Sequence, residues 1–326
     1  MPESKINKFN HLKIHSQYSI CEGAIKIDSL KDFSKENRIR SMAICDTSNL
    51  CGALEFAEKI SKTGTQPIVG TQIHFKYKDT LGLLPLFALS EIGYKRIIEL
   101  SSMSFLNNDD LSEPHVNFEE LLNKNDDIAI FSGTVFGLFG VLFEKGKFSE
   151  IKELYSKLKL NFGDRFYLEI QRHGDSNELG FEKFNLNKSL ELEIPIIATN
   201  EVFYIDKNMY EAHDALICIK NKTYVNEKDR LKLTNQHYLK SDTEMSELFN
   251  DLPEALENNY NFPYRCSFKP FFSKPILPNI SSEKGGNADE VLKKESLDGL
   301  KDKFEKIFKI ESKDFLSNKD YLKYKD

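Results

Sequence analysis

The sequence predicts an α/β protein whose larger domain is a barrel of strands and helices. Seven short apolar segments, each followed by a loop or an amphipathic stretch, indicate buried strands. Helix-like segments alternate with them, and this alternation favours a largely parallel sheet. Polar residues follow the strands across the whole series, whereas an open doubly wound sheet would collect them near one switch point. We therefore expect a closed barrel of seven strands, with the open sheet as the alternative.

The predicted elements follow one another closely along this part of the chain. The predicted strands are His11–His15, Met42–Cys45, Pro67–Lys76, Leu84–Leu89, Ile128–Ser132, Phe166–Gln171 and Ile194–Ala198. The predicted helices between them are Asp28–Asn37, Ala53–Lys62, Tyr94–Met103, Phe118–Asn123, Glu150–Leu160 and Glu178–Glu191. The polar residues that follow the strands are His15, Asp46, Gln72, Ser90, Thr134, His173 and Glu201. Because the carboxyl ends of parallel strands face one mouth, we expect these side chains to gather there.

After Tyr204 the pattern changes to helices and irregular chain. Met209–Ile219 is helix-like, and Lys220–Tyr238 is polar and rich in turn residues. The segment Thr243–Asn259 has a helical pattern that Pro253 interrupts. Because proline lacks the amide donor that a helix interior needs, we expect two short helices there.

A domain boundary is predicted near Phe268–Asn287, which holds three prolines and two glycines. We place the barrel domain at residues 1–270, and a linker with an incomplete further region at 271–326. Ala288–Phe308 carries apolar residues at helical spacing among many charges, so this helix needs a surface to pack against. The chain then ends at Leu316–Asp326 without a second core, and we expect it to be the front of a longer protein.

Composition and charge exclude several classes of protein. The chain has 326 residues and contains no apolar run near the roughly 20 residues of a membrane span, which predicts a soluble, cytoplasmic protein. The net charge of -6 should repel a nucleic-acid backbone, so DNA is expected to be held by another part of a larger machine. The five cysteines include no C-x-x-C pair and are expected to be reduced thiols.

The chemistry available at the predicted mouth is limited. His15, Asp46, His173 and Glu201 are the candidate metal ligands, enough for one ion at best, while phosphoester hydrolysis by a metal cluster needs more. Each also has a structural interpretation: the histidines in strand-end loops, and Asp46 as a turn former or helix cap. Lys13 shares a strand face with His15, and its ammonium opposes cation binding unless a carboxylate neutralises it.

Other catalytic signatures are absent from the sequence. There is no G-x-S-x-G elbow, no G-x-x-x-x-G-K-[ST] phosphate loop and no G-x-G-x-x-G at the start of a helix. The chain also lacks a D-x-D pair, which often presents two carboxylates to paired metal ions. No complete active site is therefore predicted.

Eight stretches of the chain carry a family resemblance, and they lie in the family's order within residues 8 to 270. The stretches are FNHLKIHSQYSICEG at Phe9–Gly23, ICDTSNLCGALEF at Ile44–Phe56, QPIVGTQ at Gln66–Gln72, GYKRIIELSS at Gly93–Ser102, FYLEIQRHG at Phe166–Gly174, PIIATNEVFYI at Pro195–Ile205, AHDALICI at Ala212–Ile219 and EMSELFNDLPEAL at Glu244–Leu256. They resemble the PHP (polymerase and histidinol phosphatase) domain at the front of the α subunit of bacterial DNA polymerase III. The last stretch is typical of the polymerase and not of separate PHP phosphatases.

The resemblance implies a distorted seven-stranded β/α barrel with a degenerate metal site. Metal-binding members carry histidine or acidic ligands at positions where this sequence has Lys13, Thr47, Gln72, Leu83 and Phe203. His15, Asp46, His173 and Glu201 remain as vestigial metal-site positions, so no bound metal and no catalytic residue are expected in this segment. Mg²⁺ is expected only for a palm domain, the catalytic part of the polymerase, which would follow the linker.

The function that the resemblance implies is structural. This segment would act as a scaffold in the polymerase α subunit, a DNA-directed DNA polymerase (a nucleotidyltransferase) of DNA replication. Its expected partners are the remainder of that subunit and the proofreading exonuclease, with DNA contacted only through the full polymerase and no membrane involved. Two alternatives stay open: a metal-dependent PHP phosphoesterase or exonuclease that uses the remaining ligands, and a free-standing protein-interaction module.

Overall fold

The computed structural model describes residues 9–108, 112–275 and 287–308, together with residues 319, 322 and 323. The strands found among them are β1 (Lys13–Ile14), β2 (Ser41–Thr47), β3 (Gln66–Tyr77), β4 (Thr80–Ala88), β5 (Val116–Asn117), β6 (Ile128–Phe131), β7 (Phe166–Ile170), β8 (Ile196–Ala198) and β9 (Glu201–Val202). The α-helices are α1 (Ile27–Glu36), α2 (Ala53–Ser61), α3 (Glu91–Leu106), α4 (Phe118–Asn123), α5 (Leu138–Glu144), α6 (Phe148–Phe162), α7 (Glu178–Leu192), α8 (Tyr210–Asn221), α9 (Asp242–Leu248), α10 (Pro253–Asn261) and α11 (Ala288–Phe308). The chain divides into two compact units, Met1–Phe272 and Ser273–Asp326.

The strands form one curled sheet that returns to its starting point. Its order is β8-β7-β6-β4-β3-β2-β1-β9, with β5 beside β3. Strands β8 and β9 stand at opposite ends of this order, yet only Thr199 and Asn200 separate them in sequence. The backbone amide of Thr199 donates to Ile170 O at 3.1 Å, and that of His15 donates to Val202 O at 2.9 Å. The short stretch that contains β8 and β9 therefore joins the two ends of the sheet. This closure confirms the predicted distorted barrel.

The expectation of a largely parallel sheet is wrong at β4. This strand runs antiparallel to both β3 and β6, because Lys78 and Asp79 make a tight hairpin instead of a helical crossover. Its carboxyl end consequently faces away from the predicted mouth. Ser90, which follows β4, caps α3 there by accepting hydrogen bonds from the amides of Ile92 and Gly93. Ser90 is thus a helix cap and not a residue of the mouth.

The other predicted elements match closely. All seven predicted strands are present, with β5 and β9 as additional short strands, and α5 is a helix that the sequence pattern did not indicate. Pro253 separates α9 from α10 and occupies the first turn of α10, where its missing amide costs nothing, as predicted. Ser241 closes a capping box with Glu244 at the start of α9.

The helices bury the outer face of the sheet. The largest apolar cluster joins β4, β6 and β7 to α5, α6 and α7, and includes fully buried Phe139, Tyr155 and Phe166. Inside the barrel a smaller cluster joins Phe87, Phe131 and other side chains. Burial on both sides explains the continuous apolar runs of the parallel strands.

The second unit contains α11, whose bounds agree with the predicted helix. The predicted segment Leu316–Asp326 and the middle of the predicted linker, 276–286, lie outside the described residues, apart from 319, 322 and 323. Among the described helices, none is both long and apolar enough to cross a bilayer.

Candidate functional site

The mouth of the barrel surrounds a cavity of about 190 Å³. Its wall includes Gln72, Leu83 and Thr134, with Glu201 and Phe203 beside them. Leu83 lies on β4 opposite His74 of β3, so the hairpin brings it to the mouth although the strand runs the other way. Most of the exposed wall is apolar, since leucine and phenylalanine side chains make up much of the lining.

Lys13 contacts Glu201 of the cavity wall and has no exposed side-chain surface. Its Nζ is 3.1 Å from Glu201 Oε1 and 3.5 Å from Glu169 Oε1. Lys13 and Glu201 are directly paired across β1 and β9, so the parallel register itself places the ammonium beside the carboxylate. Burial alone would lower the pKa of Lys13, but Glu169 and Glu201 outweigh it and raise the pKa to about 12.

The two carboxyl groups respond differently to the same ammonium. Burial raises the pKa of both, but at Glu201 the charge of Lys13 and the hydrogen bond with His15 prevail and hold the pKa well below its usual value. At Glu169, which is farther from Lys13, burial prevails and the pKa is raised. The ammonium of Lys13 thus favours the ionised form of Glu201 more strongly than that of Glu169.

His15 contacts the same oxygen as Lys13. Its Nε2 lies 3.1 Å from Glu201 Oε1, and its Nδ1 lies 3.3 Å from Ser19 Oγ. The ring of Phe203 stacks on the imidazole with 4.6 Å between centroids. Both ring nitrogens and one ring face are thus engaged by the protein.

Asp46 organises the loop that follows β1. Its Oδ1 accepts hydrogen bonds from the backbone amide of Ser16 at 2.7 Å and from Ser19 Oγ at 2.7 Å, while its Oδ2 accepts one from Ser16 Oγ at 2.8 Å. Burial raises the pKa of Asp46, against the effect of these hydrogen bonds. Asp46 lies within β2 and caps no described helix, so the expectation of a turn former or helix cap is wrong; its carboxylate instead holds the loop after β1 in place.

His173 stacks on a second histidine, His237, with parallel rings and centroids 4.1 Å apart. His173 Nδ1 lies 3.2 Å from Glu178 Oε1, and its Nε2 accepts a hydrogen bond from the amide of Glu201 at 3.2 Å. Burial, and then the charges of His237 and Lys240, hold the pKa of His173 well below its usual value. His173, Asp175 and His237 together offer three ligand atoms within 4.8 Å of one another.

A series of polar contacts connects Gln72, at the wall of the mouth, to Lys220 of α8. Gln72 Nε2 donates to Thr47 Oγ1 at 3.1 Å, and Thr47 Oγ1 donates to Glu22. Glu22 also pairs with Lys220 of α8. Burial raises the pKa of Glu22, but the charges of His15 and Lys220 outweigh it and lower the pKa. Gln72 and Thr47 thus connect the rim to Glu22 through side-chain hydrogen bonds.

The structure brings together most of the predicted site residues. Lys13, His15 and Glu201 form one cluster, and His173 touches the backbone of Glu201. Sequence reasoning missed Glu169, Glu22 and His237. A signal for Glu169 does exist, because it is the one charged residue inside the otherwise apolar strand β7. No comparable signal marks His237, which reaches the site from the irregular segment after α8.

A barrel of this topology with histidine and carboxyl groups at its mouth defines the class of the protein. The PHP domain model matches residues 11–173, and the chain belongs to the PHP domain family. The family resemblance predicted from the motifs is confirmed.

Most of the chain is also similar to alpha subunits of DNA polymerase III. It is 34% identical over 316 residues to the DNA polymerase III subunit alpha of Caulobacter vibrioides, a match that covers 94% of this chain and 27% of that protein. The corresponding subunit of Rickettsia conorii is 35% identical over 306 residues, covering 94% of this chain and 26% of that protein. The chain thus spans about a quarter of the length of these relatives.

One solved structure to which the comparison matched the chain is an amidohydrolase from Chromobacterium violaceum. It is 8% identical, has a TM-score of 0.42, and the match covers 64% of this chain and 96% of that one.

Proposed function

We propose that this chain is a PHP region with a structural role in a replicative DNA polymerase III α subunit, and that it performs no hydrolysis of its own. The observation that carries the proposal is the position of Lys13 Nζ between Glu169 and Glu201. A fixed ammonium among these carboxyl groups repels a divalent cation at the point where a catalytic metal would need them. Nucleotidyl transfer by the whole polymerase would then depend on carboxylates and Mg²⁺ in another domain.

The donor set at the mouth does not fit a multinuclear metal site for phosphoester hydrolysis. Three hydrogen bonds already occupy the oxygens of Asp46, and Thr47, Gln72, Leu83 and Phe203 supply either neutral or apolar side chains at the mouth. A metal cluster that activates water needs several free nitrogen and oxygen ligands and an open position. The side chains instead bind one another, which suits a rigid scaffold.

One observation favours the second candidate, a metal-dependent phosphoesterase. His173, Asp175 and His237 hold three ligand atoms within 4.8 Å of one another. However, the two imidazole rings are parallel to within 5° and stacked, so their lone pairs do not converge on one point. Binding an ion would require a ring to rotate and the hydrogen bond between His173 and the amide of Glu201 to break.

Metal content and hydrolysis distinguish the two candidates. We expect the purified chain, after dialysis with Zn²⁺ or Mn²⁺, to retain well under one metal ion per chain and to hydrolyse bis-p-nitrophenyl phosphate no faster than buffer. Elemental analysis measures the bound metal, and absorbance at a fixed metal concentration measures the hydrolysis. A stoichiometric ion, with turnover that His15→Ala or His237→Ala abolishes, would establish the phosphoesterase and refute the structural assignment.

We further propose that the mouth of the barrel is the docking site for the proofreading exonuclease. Phe136 and Leu231 line the cavity and leave about half of their surfaces exposed, at 45% and 47%. Exposed apolar side chains around an apolar cavity are typical of a protein-binding surface. An apolar docking surface also fits a domain whose mouth lacks the donor set of a catalytic metal cluster.

Substitution at the rim tests this docking site. Leu231→Asp is expected to weaken binding of the purified exonuclease subunit by about tenfold or more, because it places a charge in an apolar contact. Leu190→Asp on α7 is the matched control, since Leu190 is 84% exposed and lies outside the cavity lining. The readout is calorimetric titration. Equal binding by the two variants, or no binding by the unmodified chain, would place the docking site elsewhere.

A further inference from the structure

The group formed by Glu169, Glu201 and His15 has the features of a cation site. Three separate segments supply it: Glu169 comes from β7, Glu201 from β9, and His15 directly follows β1. The side chains of Glu169, His15 and Lys13 have no exposed surface, and that of Glu201 is 7% exposed. A carboxylate that is ionised at this degree of burial requires a positive charge beside it.

The contacts of the Lys13 ammonium resemble those of an ion more than those of a hydrogen-bond donor. Its Nζ lies 3.1 and 3.5 Å from two carboxyl oxygens, but makes no directed hydrogen bond to a described residue. Glu169 Oε2 likewise is buried without a hydrogen-bond partner among those residues. The attraction between the ammonium of Lys13 and the carboxyl groups is therefore mainly electrostatic. It depends on the distance between the charges and not on the side chain that carries the ammonium.

The same carboxyl groups are tied into the barrel wall by other bonds. Glu169 Oε1 accepts hydrogen bonds from Gln171 Nε2 at 2.9 Å and from Thr199 Oγ1, and Glu201 Oε1 lies 3.1 Å from His15 Nε2. These contacts keep the oxygens in place independently of Lys13. A site held in this way retains its shape if the lysine stem is shortened.

We propose that Glu169, Glu201 and His15 form a cation-binding site whose resident cation is the ammonium of Lys13, supplied by the chain itself. The site is within reach of solvent, because Glu201 also lines the cavity at the mouth. When the stem of Lys13 is removed, a free alkylammonium ion takes the place of the ammonium. The inference concerns stability alone and stands whether or not the exonuclease docks at the mouth.

Chemical rescue tests this site. Lys13→Ala removes the atoms of a propylammonium ion from the side chain, so n-propylammonium is the matching probe. In the chain of residues 1–326, we expect Lys13→Ala to melt at a lower Tm. n-Propylammonium should raise the Tm of this variant in proportion to the logarithm of its concentration once binding is near saturation, because it binds the folded state and not the unfolded chain. The unmodified chain and Lys13→Met should show no such increase, since their stems fill the space.

Three controls make the result specific. Sodium chloride at equal ionic strength separates binding from screening, n-propanol tests an uncharged molecule of the same shape, and tetramethylammonium tests a cation too bulky to enter. Glu201→Gln in the Lys13→Ala background should abolish the rescue.

If Lys13→Ala does not fold without the probe, the yield of refolded chain with and without n-propylammonium gives the same readout. No gain in Tm or in yield over sodium chloride would overturn the proposal. A gain that n-propanol matches, or one that survives Glu201→Gln, would also overturn it.

Discussion

Lys13→Met is expected to lower the free energy of unfolding by about 3–5 kcal/mol at neutral pH, the usual cost of removing one partner from a buried ion pair. Methionine fills nearly the same volume, so lost packing contributes little. The loss arises because the carboxylate of Glu201 stays buried without the ammonium that neutralises it. Urea denaturation followed by circular dichroism measures it.

The effect of Lys13→Met should depend on pH in a definite direction. With Lys13 present, the pKa of Glu201 is held below its usual value, so this carboxylate stabilises the fold above the unfolded pKa of roughly 4.3. That stabilisation is lost only as the pH falls through the lower, folded pKa. In the variant the carboxyl groups take up protons more readily, which relieves their uncompensated charge. The difference between the two proteins should therefore be largest near pH 7 and shrink below about pH 4.

Lys59→Met is the matched control for this prediction. Lys59 also contacts two carboxylates, Asp28 at 2.7 Å and Glu55 at 2.8 Å, but on the surface of the protein. Water and salt screen such pairs, so the variant should unfold at nearly the same urea concentration as the unmodified chain. If Lys13→Met were as harmless as Lys59→Met, the buried cluster would have no role in holding the barrel together.

The barrel could be predicted from the sequence, because the apolar pattern of most segments agrees with the element that each segment forms in the fold. The apolar runs of β2, β3 and β7 are bounded by turns and flanked by helical patterns, and each forms the predicted element. The error at β4 has a physical cause. The composition of a strand does not show whether it runs parallel or antiparallel to its neighbour. Only the missing crossover helix between β3 and β4 marks β4 as antiparallel.

The sequence indicated some residues of the candidate site, such as Lys13, His15 and Glu201, but neither Glu169 nor the contacts among them. Lys13 and His15 share a face by strand periodicity, and the structure places both at 3.1 Å from the same oxygen of Glu201. The neutralising carboxyl group that a buried ammonium needs could not be chosen from sequence, since the pairing register of β1 with β9 decides it. The contribution of Glu169 depends on strand neighbours far apart in the chain, which periodicity does not reveal.

Asn259→Ala is expected to cost about 3–5 kcal/mol of unfolding free energy, because one buried side chain joins three segments. Its Oδ1 accepts a hydrogen bond from the amide of Asn10 at 2.8 Å, and its Nδ2 donates to Asn10 O at 2.9 Å and to Ala198 O at 3.0 Å. These bonds hold α10 against the chain before β1 and the end of β8. Each buried group left without a partner costs roughly 1–3 kcal/mol.

The neighbouring residue provides the control for Asn259. Asn258 lies on the same helix, is half-buried, and donates one hydrogen bond, from Nδ2 to Ile196 O at 2.7 Å. Asn258→Ala should therefore cost only about 1 kcal/mol. Hydrogen exchange should also show that Asn259→Ala loosens the stretch 196–202, where the sheet closes, more than it loosens β3. If the two asparagine variants were equally stable, the closure of the barrel would not depend on α10, and the short strands β8 and β9 would have to hold it by themselves.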